Sequence, residues 1–196
     1  MITKDQYFHV LTWEYFYFCT DKAVLEIGPL HGEHSNLILQ REPKSLDLID
    51  IDPEVCKDLE RLCTNKNLRY IINQDVNKFL EYEHLVDVVV CLGLIYHLHS
   101  PIKLLELIVN ATKAKTIMLD GANVEHHEYY NDSLGYKYTN FNNLERKTNL
   151  SLMLPFAEIN RFMTLLGYKL LKYETMSIPD FWKDNIWMAI WERHDI

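Results

Sequence analysis

The sequence has few of the features that mark secreted, membrane-spanning or redox-active proteins. It holds four cysteines among 196 residues and no Cys-x-x-Cys pair, so no disulfide framework or redox motif is indicated. No stretch approaches the roughly 18 uninterrupted apolar residues of a membrane span. The first residues contain neither a basic leader nor a continuous apolar run, the two features of a signal peptide. We therefore predict a cytoplasmic protein with reduced thiols and no membrane association.

Positive charge is also scarce. The chain has 20 Lys and Arg against 28 Asp and Glu, a formal net charge of -8. A protein that grips a long polyphosphate backbone needs a basic surface to displace counterions, so we do not expect a DNA-binding protein. The later part of the chain is less acidic, which is compatible with a local anion patch there.

What the chain does contain is an alternation of short, branched apolar runs with longer amphipathic stretches. This pattern is typical of a parallel sheet with helices packed on its faces. Its length and its 48% hydrophobic content suit a single domain over residues 1–196. The predicted strands are Ala23–Ile27, Ser45–Asp50, Leu68–Asn73, Val86–Leu92 and Thr116–Asp120.

The starts of two helices are each marked by a capping residue followed by a proline. Asp52 and Ser100 are both followed by proline, which is comfortable in a first helical turn. A further helix is predicted to begin near Pro155 and to stop at Gly167.

Other segments are less periodic. Residues 121–154 are polar and rich in tyrosine and asparagine, and we interpret them as an insertion in the substrate region. Residues 1–20 crowd aromatic side chains, and we interpret them as an N-terminal helix or lid, with plain packing on the sheet as the alternative. Two final strands, Tyr168–Met176 and Asn185–Glu192, are separated by too few residues for a parallel crossover, so they should be antiparallel.

The stretch VLEIGPLHG contains a glycine loop after an apolar strand. A dinucleotide fingerprint needs glycine at positions one, three and six, which here hold Gly28, Leu30 and Glu33. A nicotinamide-dependent dehydrogenase is therefore disfavoured. The pattern that fits is acid-x-Gly-x-x-x-Gly, made by Glu26, Gly28 and Gly32, in which glycine allows a sharp turn and a close backbone approach.

Four segments in order, VLEIGPLHG, LDLIDIDPE, INQDVNKF and DVVVCLGLIYHL, resemble the motif series of class I S-adenosylmethionine-dependent methyltransferases. The resemblance covers about Val24 to Leu98, and an antiparallel ending suits that family's sheet. It implies a Rossmann-like, doubly wound α/β fold with a seven-stranded sheet, mostly parallel with an antiparallel last strand. The implied cofactor is S-adenosyl-L-methionine, with S-adenosyl-L-homocysteine as the product.

The resemblance also implies roles in the glycine loop. Glu26 and the backbone from Gly28 to Gly32 would surround the methionine portion of the cofactor, with the acid binding the ammonium. Pro29 would stiffen the turn before ligand arrives. Leu30 stands where many members carry a middle glycine, and we expect an ordinary φ or a displaced loop there, with less room around the cofactor. Without a ligand, Glu26 could be an edge charge.

Two later motifs would hold the nucleoside. Asp50 would accept hydrogen bonds from both ribose hydroxyls, and Ile51 would lie against the adenine face. Asp75 would accept from the adenine amino group, and the Val76 backbone would read the ring edge. The structural alternatives are a simple strand end for Asp50 and a helix cap for Asp75.

Methyl transfer needs positioning, and a general base only if the acceptor must lose a proton. By the resemblance, Leu92 and Gly93 would border the cofactor near its sulfonium. His97, flanked by Tyr96, is our candidate base because histidine titrates close to neutral pH. A structural or substrate-shaping role for His97 is the alternative.

The acceptor is predicted to be a small or medium-sized molecule methylated on oxygen or nitrogen. The segment GLIYHLHSP is also similar to tRNA wobble-uridine carboxymethyltransferases, although the acidic charge disfavours tRNA. A catalytically inactive, methyltransferase-like partner protein is a further alternative. No metal site is predicted, because the adjacent His126 and His127 point apart in regular structure. Tyr129, Tyr130, Tyr136 and Tyr138 could instead bind an acceptor or form a lid.

Overall fold

The computed structural model describes residues 14–62, 67–122, 130–131, 137–140, 150–177 and 185–194. The chain divides into two compact units, one made of Met1–Cys91 and Leu107–Met118, the other of Leu92–Glu106 and Leu119–Ile196. Among the helices in these ranges, none is both long enough and apolar enough to cross a membrane.

The first unit is built from strands and helices in alternation. After a 3-10 turn at Phe16–Cys19 come β1 (Ala23–Ile27), α1 (Glu33–Gln40), β2 (Ser45–Asp50), α2 (Pro53–Leu62), β3 (Leu68–Asn73), α3 (Val76–Phe79) and β4 (Val88–Cys91). Two elements then cross between the units, α4 (Pro101–Thr112) and β5 (Thr116–Ala122).

The strands of the first unit pair in parallel, β1 with both β2 and β4, and β2 with β3. Strands β1 and β4 are almost continuously apolar, and Val24 to Ile27 and Val88 to Cys91 are buried without alternation. Uninterrupted burial is typical of parallel strands that are covered on both faces. The core of this unit therefore follows directly from the apolar runs.

The second unit contains a small antiparallel sheet of β6 (Tyr130–Asn131), β7 (Lys137–Asn140) and β8 (Leu150–Met153). It continues with α5 (Phe156–Leu165), β9 (Tyr168–Ser177) and β10 (Asn185–Arg193), and the last two strands pair antiparallel. Gly167 follows α5 with a φ of 87°, the left-handed conformation that commonly ends a helix.

The large sheet has seven strands in the order β3-β2-β1-β4-β5-β10-β9. Strand β10 begins beside the carboxyl end of β5, where Trp187 packs on Gly121, so it runs opposite to β5. The predicted fold, a mostly parallel α/β sheet with an antiparallel last strand, is confirmed.

Most predicted boundaries are also confirmed. Strands β1, β2 and β3 have the predicted ends, whereas β4 is shorter and β5 is two residues longer. Asp52 caps α2, since its Oδ1 accepts from the Glu54 backbone N–H over 2.9 Å.

Strands β6, β7 and β8, within residues 121–154, were not predicted. They are two to four residues long, too short to show a period. The aromatic residues before position 14, the histidines at 126 and 127, and Tyr129 and Tyr136 lie outside the described residues.

Candidate functional site

The glycine loop of the first unit has an unusual backbone. Gly28, Leu30 and Gly32 have φ values of 72°, 48° and 74°. Three alternate residues thus adopt the left-handed region, including a leucine for which it costs about 1–2 kcal/mol. The expectation of an ordinary φ for Leu30 is wrong, because the loop keeps the glycine-like path at this position. The Leu30 side chain is 56% exposed.

Hydrogen bonds within the first unit hold this loop. The Gly28 N–H donates to the Ile49 carbonyl of β2, and the Gly32 N–H donates to the Pro29 carbonyl, both over 2.9 Å. The Gly32 carbonyl accepts from the Asn36 N–H over 2.9 Å, which starts α1. The turn is therefore closed by its own backbone, and Pro29 at its head is buried.

Glu26 lies in the middle of the sheet and is 2% exposed. Ser35 in the first turns of α1 donates its hydroxyl to Glu26 Oε2 over 2.6 Å. Burial raises the pKa of Glu26 to about 7, and the Ser35 hydrogen bond opposes that rise. Glu26 is thus not an edge charge. Ser35 is not among the predicted site residues; its signal was a small polar residue one helical turn after the loop.

Asp50 ends β2 and is partly exposed, and the next residue, Ile51, is 54% exposed. Asp50 Oδ1 accepts from the Asp52 N–H over 2.9 Å. Asn73 at the end of β3 donates its side-chain amide to the carbonyls of Asp50 over 3.2 Å and Ile51 over 3.0 Å. The ends of the two strands are therefore tied together, with the Asp50 carboxylate at their edge.

Asp75 follows β3 and caps the short helix α3. Its Oδ1 accepts from the backbone N–H of Asn77 over 2.8 Å and from the Asn77 side-chain amide over 3.1 Å. The helix-cap alternative is therefore confirmed for this oxygen, and Val76 is the first residue of the helix. Because β1, β2 and β3 are parallel, Glu26, Asp50 and Asp75 all lie near the carboxyl ends of their strands, the edge where open α/β sheets bind ligands.

In the second unit, Gly93 has a φ of 74° and donates its N–H to Asp120 Oδ1 over 2.7 Å. Asp120 on β5 is 3% exposed, and burial raises its pKa to about 7 against the opposing hydrogen bond from Gly93. Asp120 was predicted only as a strand end. The signal was present, since Asp120 closes an apolar run just as Glu26 does. Leu92, beside Gly93, is buried.

Tyr96 and His97 belong to a 3-10 turn at Ile95–His97. A Cβ on Gly93 would lie 3.8 Å from the Tyr96 hydroxyl. The Tyr96 hydroxyl is therefore close to Gly93, which is predicted to border the cofactor. The Tyr96 and His97 rings lie with centroids 4.5 Å apart. His97 reaches solvent, yet desolvation of its imidazole lowers its pKa. The imidazole is therefore neutral at neutral pH and able to accept a proton.

Comparisons with known proteins agree with the fold. The family model described as a methyltransferase domain matches residues 25–119. A putative S-adenosylmethionine-dependent methyltransferase from Listeria monocytogenes has the same fold, with a TM-score of 0.73 at 11% identity over 94% of this chain and 98% of that chain. A methyltransferase from Mesorhizobium loti also has a TM-score of 0.73, at 8% identity over 97% of this chain and 100% of that one.

A curated relative at the sequence level is named tRNA U34 carboxymethyltransferase. The Campylobacter concisus protein is 30% identical over 154 residues, which are 76% of this chain and 53% of the relative. The chain thus spans about half the length of that relative.

Residues 25–119 match a methyltransferase domain, and the chain has the Rossmann-like fold of such enzymes. The family match and the shared fold together support a class I S-adenosylmethionine-dependent methyltransferase, a class whose cofactor is S-adenosyl-L-methionine.

Proposed function

We propose that the protein transfers a methyl group from S-adenosylmethionine to an oxygen or nitrogen atom of a small or medium-sized acceptor. The observation that carries this proposal is the left-handed backbone at Gly28, Leu30 and Gly32, directly after the buried Glu26. Strained backbone of this kind is common at ligand sites, and here it directly follows a buried acid.

Three acids of the first unit would hold the cofactor. Glu26, with Ser35 fixing its carboxylate, binds the ammonium of the methionine portion, and the Gly28–Gly32 backbone surrounds that portion. Asp50 accepts from the ribose hydroxyls, and Ile51 supplies an exposed apolar surface for the adenine. Asp75 contributes an acceptor for the adenine amino group while its Oδ1 caps α3, and the Val76 backbone reads the ring edge.

The transfer itself is an in-line displacement. The bond from sulfur to the methyl carbon breaks while the bond from the acceptor oxygen or nitrogen to that carbon forms, and the sulfonium becomes a thioether. The acceptor proton passes to the neutral imidazole of His97 and then to water. Leu92 and Gly93 border the sulfonium, and the Tyr96 hydroxyl next to Gly93 positions the acceptor.

The domain organisation belongs to the same proposal. Residues 1–196 form one methyltransferase domain, in which residues 1–20 and the insertion 121–154 contribute to acceptor recognition. The small antiparallel sheet of β6, β7 and β8 gives that insertion a framework.

A second candidate is a tRNA wobble-uridine carboxymethyltransferase-like activity, which the names of the relatives favour. The net charge of -8 opposes a tRNA surface. Plain methyl transfer is therefore the first hypothesis.

The first experiment is calorimetric titration with S-adenosylhomocysteine, S-adenosylmethionine, carboxy-S-adenosylmethionine and NAD. Micromolar binding of the first two, with weaker binding of the carboxylated form and none of NAD, is expected. No binding of any of them would overturn the proposal in favour of an inactive partner protein, and a preference for the carboxylated cofactor would favour the second candidate.

The role of His97 needs a separate test. His97→Ala should leave S-adenosylhomocysteine affinity unchanged and reduce turnover about 100-fold or more, whereas His99→Ala should match the wild type. Turnover is measured as the release of S-adenosylhomocysteine with an acceptor found by screening. Full activity of His97→Ala would remove the imidazole from the reaction.

A further inference from the structure

Asn73, the last residue of β3, binds the backbone of the neighbouring strand at the point where that strand ends. It lies in register with Asp50 of β2. Its side-chain amide donates to the Ile51 carbonyl over 3.0 Å and to the Asp50 carbonyl over 3.2 Å. An amide NH2 group has one hydrogen for each of these acceptors, and the amide oxygen could not take its place. The two carbonyls therefore fix the orientation of the Asn73 side chain.

These two carbonyls differ in their other contacts. The Asp50 carbonyl also accepts from the Gln74 N–H over 3.0 Å, as part of the pairing between β2 and β3, and from the Cys56 thiol over 3.7 Å. The Ile51 carbonyl lies beyond the end of β2, where the strand pairing has stopped. The hydrogen bond from Asn73 to Ile51 therefore restrains the backbone after the strand has ended.

The peptide group between Ile51 and Asp52 also binds the Asp50 side chain. Its carbonyl accepts from Asn73, and its N–H donates to Asp50 Oδ1 over 2.9 Å. The peptide is trans, so its C=O and N–H point in opposite directions and rotate together. Hydrogen bonds linked in this way also polarise one another. The Asn73 amide therefore helps to set the direction of the N–H that holds the Asp50 carboxylate.

The location of this series of hydrogen bonds matters for its effect. Asn73 is exposed and Asp50 is partly exposed, so water can replace the bonds and their net contribution to folding stability is small. The effect on ligand binding is larger, because a side chain that is already held in one orientation loses less conformational entropy when a ligand binds.

We propose that Asn73 is a positioning residue for the cofactor ribose. Through the peptide between Ile51 and Asp52, its amide holds the Asp50 carboxylate in the orientation that accepts from the ribose hydroxyls. Oδ1 of Asp50 stays with the Asp52 N–H, and Oδ2 is left for the ligand. This inference rests on the proposed function, in which Asp50 binds the ribose, and it requires no contact between Asn73 and the ligand.

The first test measures S-adenosylhomocysteine affinity by calorimetry in Asn73→Ala and in the matched variant Asn67→Ala. Asn67 directly precedes β3, so it lies at the other end of the same strand, roughly 20 Å away at about 3.3 Å per residue. We expect Asn73→Ala to bind about three- to tenfold more weakly than wild type, and Asn67→Ala to bind within about twofold of it. Wild-type affinity in Asn73→Ala, or equal losses in the two variants, would overturn the inference.

A double-mutant cycle separates positioning from a purely structural role. Asp50→Ala, Asn73→Ala and the combined variant are compared with wild type in the same titration. If Asn73 acts through Asp50, its replacement should change the affinity by less than about twofold once residue 50 is alanine. A residue that only ties the strand ends together would show no such dependence on Asp50. Independent losses that multiply in the combined variant would overturn the inference.

Asn73→Asp is the second variant. It keeps the shape of the side chain and replaces the two donors with an acceptor, so it should show at least the same loss of affinity and the same dependence on Asp50. The test therefore does not depend on the folding of the alanine variant. Failure of the proposed function would look different, since S-adenosylhomocysteine would then not bind the wild type, or would bind Asp50→Ala as tightly as the wild type.

Discussion

The Ser35 hydroxyl donates to Glu26 Oε2 over 2.6 Å, and both side chains are buried. A carboxylate inside a parallel sheet is strongly disfavoured unless hydrogen bonds or an opposite charge compensate for the lost hydration. Ser35 supplies one hydrogen bond, and its effect on the Glu26 pKa is smaller than the effect of burial. The remaining compensation is the role that we assign to the cofactor ammonium.

Cofactor affinity should therefore depend on pH through Glu26. The pKa of Glu26 is about 7 in the free protein, and only the ionised carboxylate attracts the ammonium. We expect the affinity for S-adenosylhomocysteine to increase as the pH rises from about 5.5 to 7.5. Calorimetry across this range should show the trend in wild type and a weaker, flatter profile in Glu26→Gln. A wild-type profile as flat as that of the variant would contradict the ammonium role.

The buried Asp120 carboxyl should also make the stability of the ligand-free protein depend on pH. Its pKa rises from 3.8 to about 7 on folding, so the folded state holds its proton more tightly. The stability that this proton binding contributes is complete below about pH 4 and is lost as the pH rises to about 7. Asp120→Asn should therefore gain stability relative to wild type between pH 4 and pH 8 in urea unfolding.

Asp120→Ala is the matched variant. It removes the acceptor of the Gly93 N–H, which asparagine can keep through its Oδ1. We expect Asp120→Ala to be less stable than Asp120→Asn by about 1–3 kcal/mol at both pH values. Equal stability of the two variants would show that the Gly93 hydrogen bond contributes little.

Much of this architecture could be predicted because parallel strands have a strong sequence signal. The strand ends of β1, β2 and β3 follow from runs rich in apolar residues that are bounded by polar residues or glycine. The acid-x-Gly-x-x-x-Gly spacing located the loop of Gly28 and Gly32. Contacts between distant residues were not predictable in this way, since neither Asp120 with Gly93 nor Trp187 with Gly121 shares a local motif.

The φ of Leu30 shows why local propensity alone was misleading. A leucine prefers an ordinary φ, but the hydrogen bonds of Gly28 and Gly32 on either side fix the path of the loop. The local preference is weaker than the sum of those backbone bonds. Leucine in place of glycine at position 30 therefore adds strain to the loop but does not alter its backbone path.

Leu30→Gly should relieve this strain. The left-handed backbone costs leucine about 1–2 kcal/mol, while glycine adds an entropic cost of about 0.5–1 kcal/mol on folding. We expect a net gain of up to about 1 kcal/mol in the free energy of unfolding, measured with urea. Leu30→Ala keeps a Cβ and should give no such gain. If both variants gained equally, the exposed leucine side chain would be responsible and the backbone would not.

Asp50 and Asp52 offer a paired test of the ribose site, because they are two residues apart and only one is assigned to the ligand. Asp50→Ala should weaken S-adenosylhomocysteine binding by about 1.5–3 kcal/mol through the loss of charge-assisted hydrogen bonds. Asp52→Ala removes the cap of α2, in which its Oδ1 accepts from Glu54, and should lower the free energy of unfolding by about 1 kcal/mol. It should leave the affinity close to that of wild type. Calorimetry and urea unfolding on both variants distinguish the roles, and an unchanged affinity in folded Asp50→Ala would refute the ribose assignment.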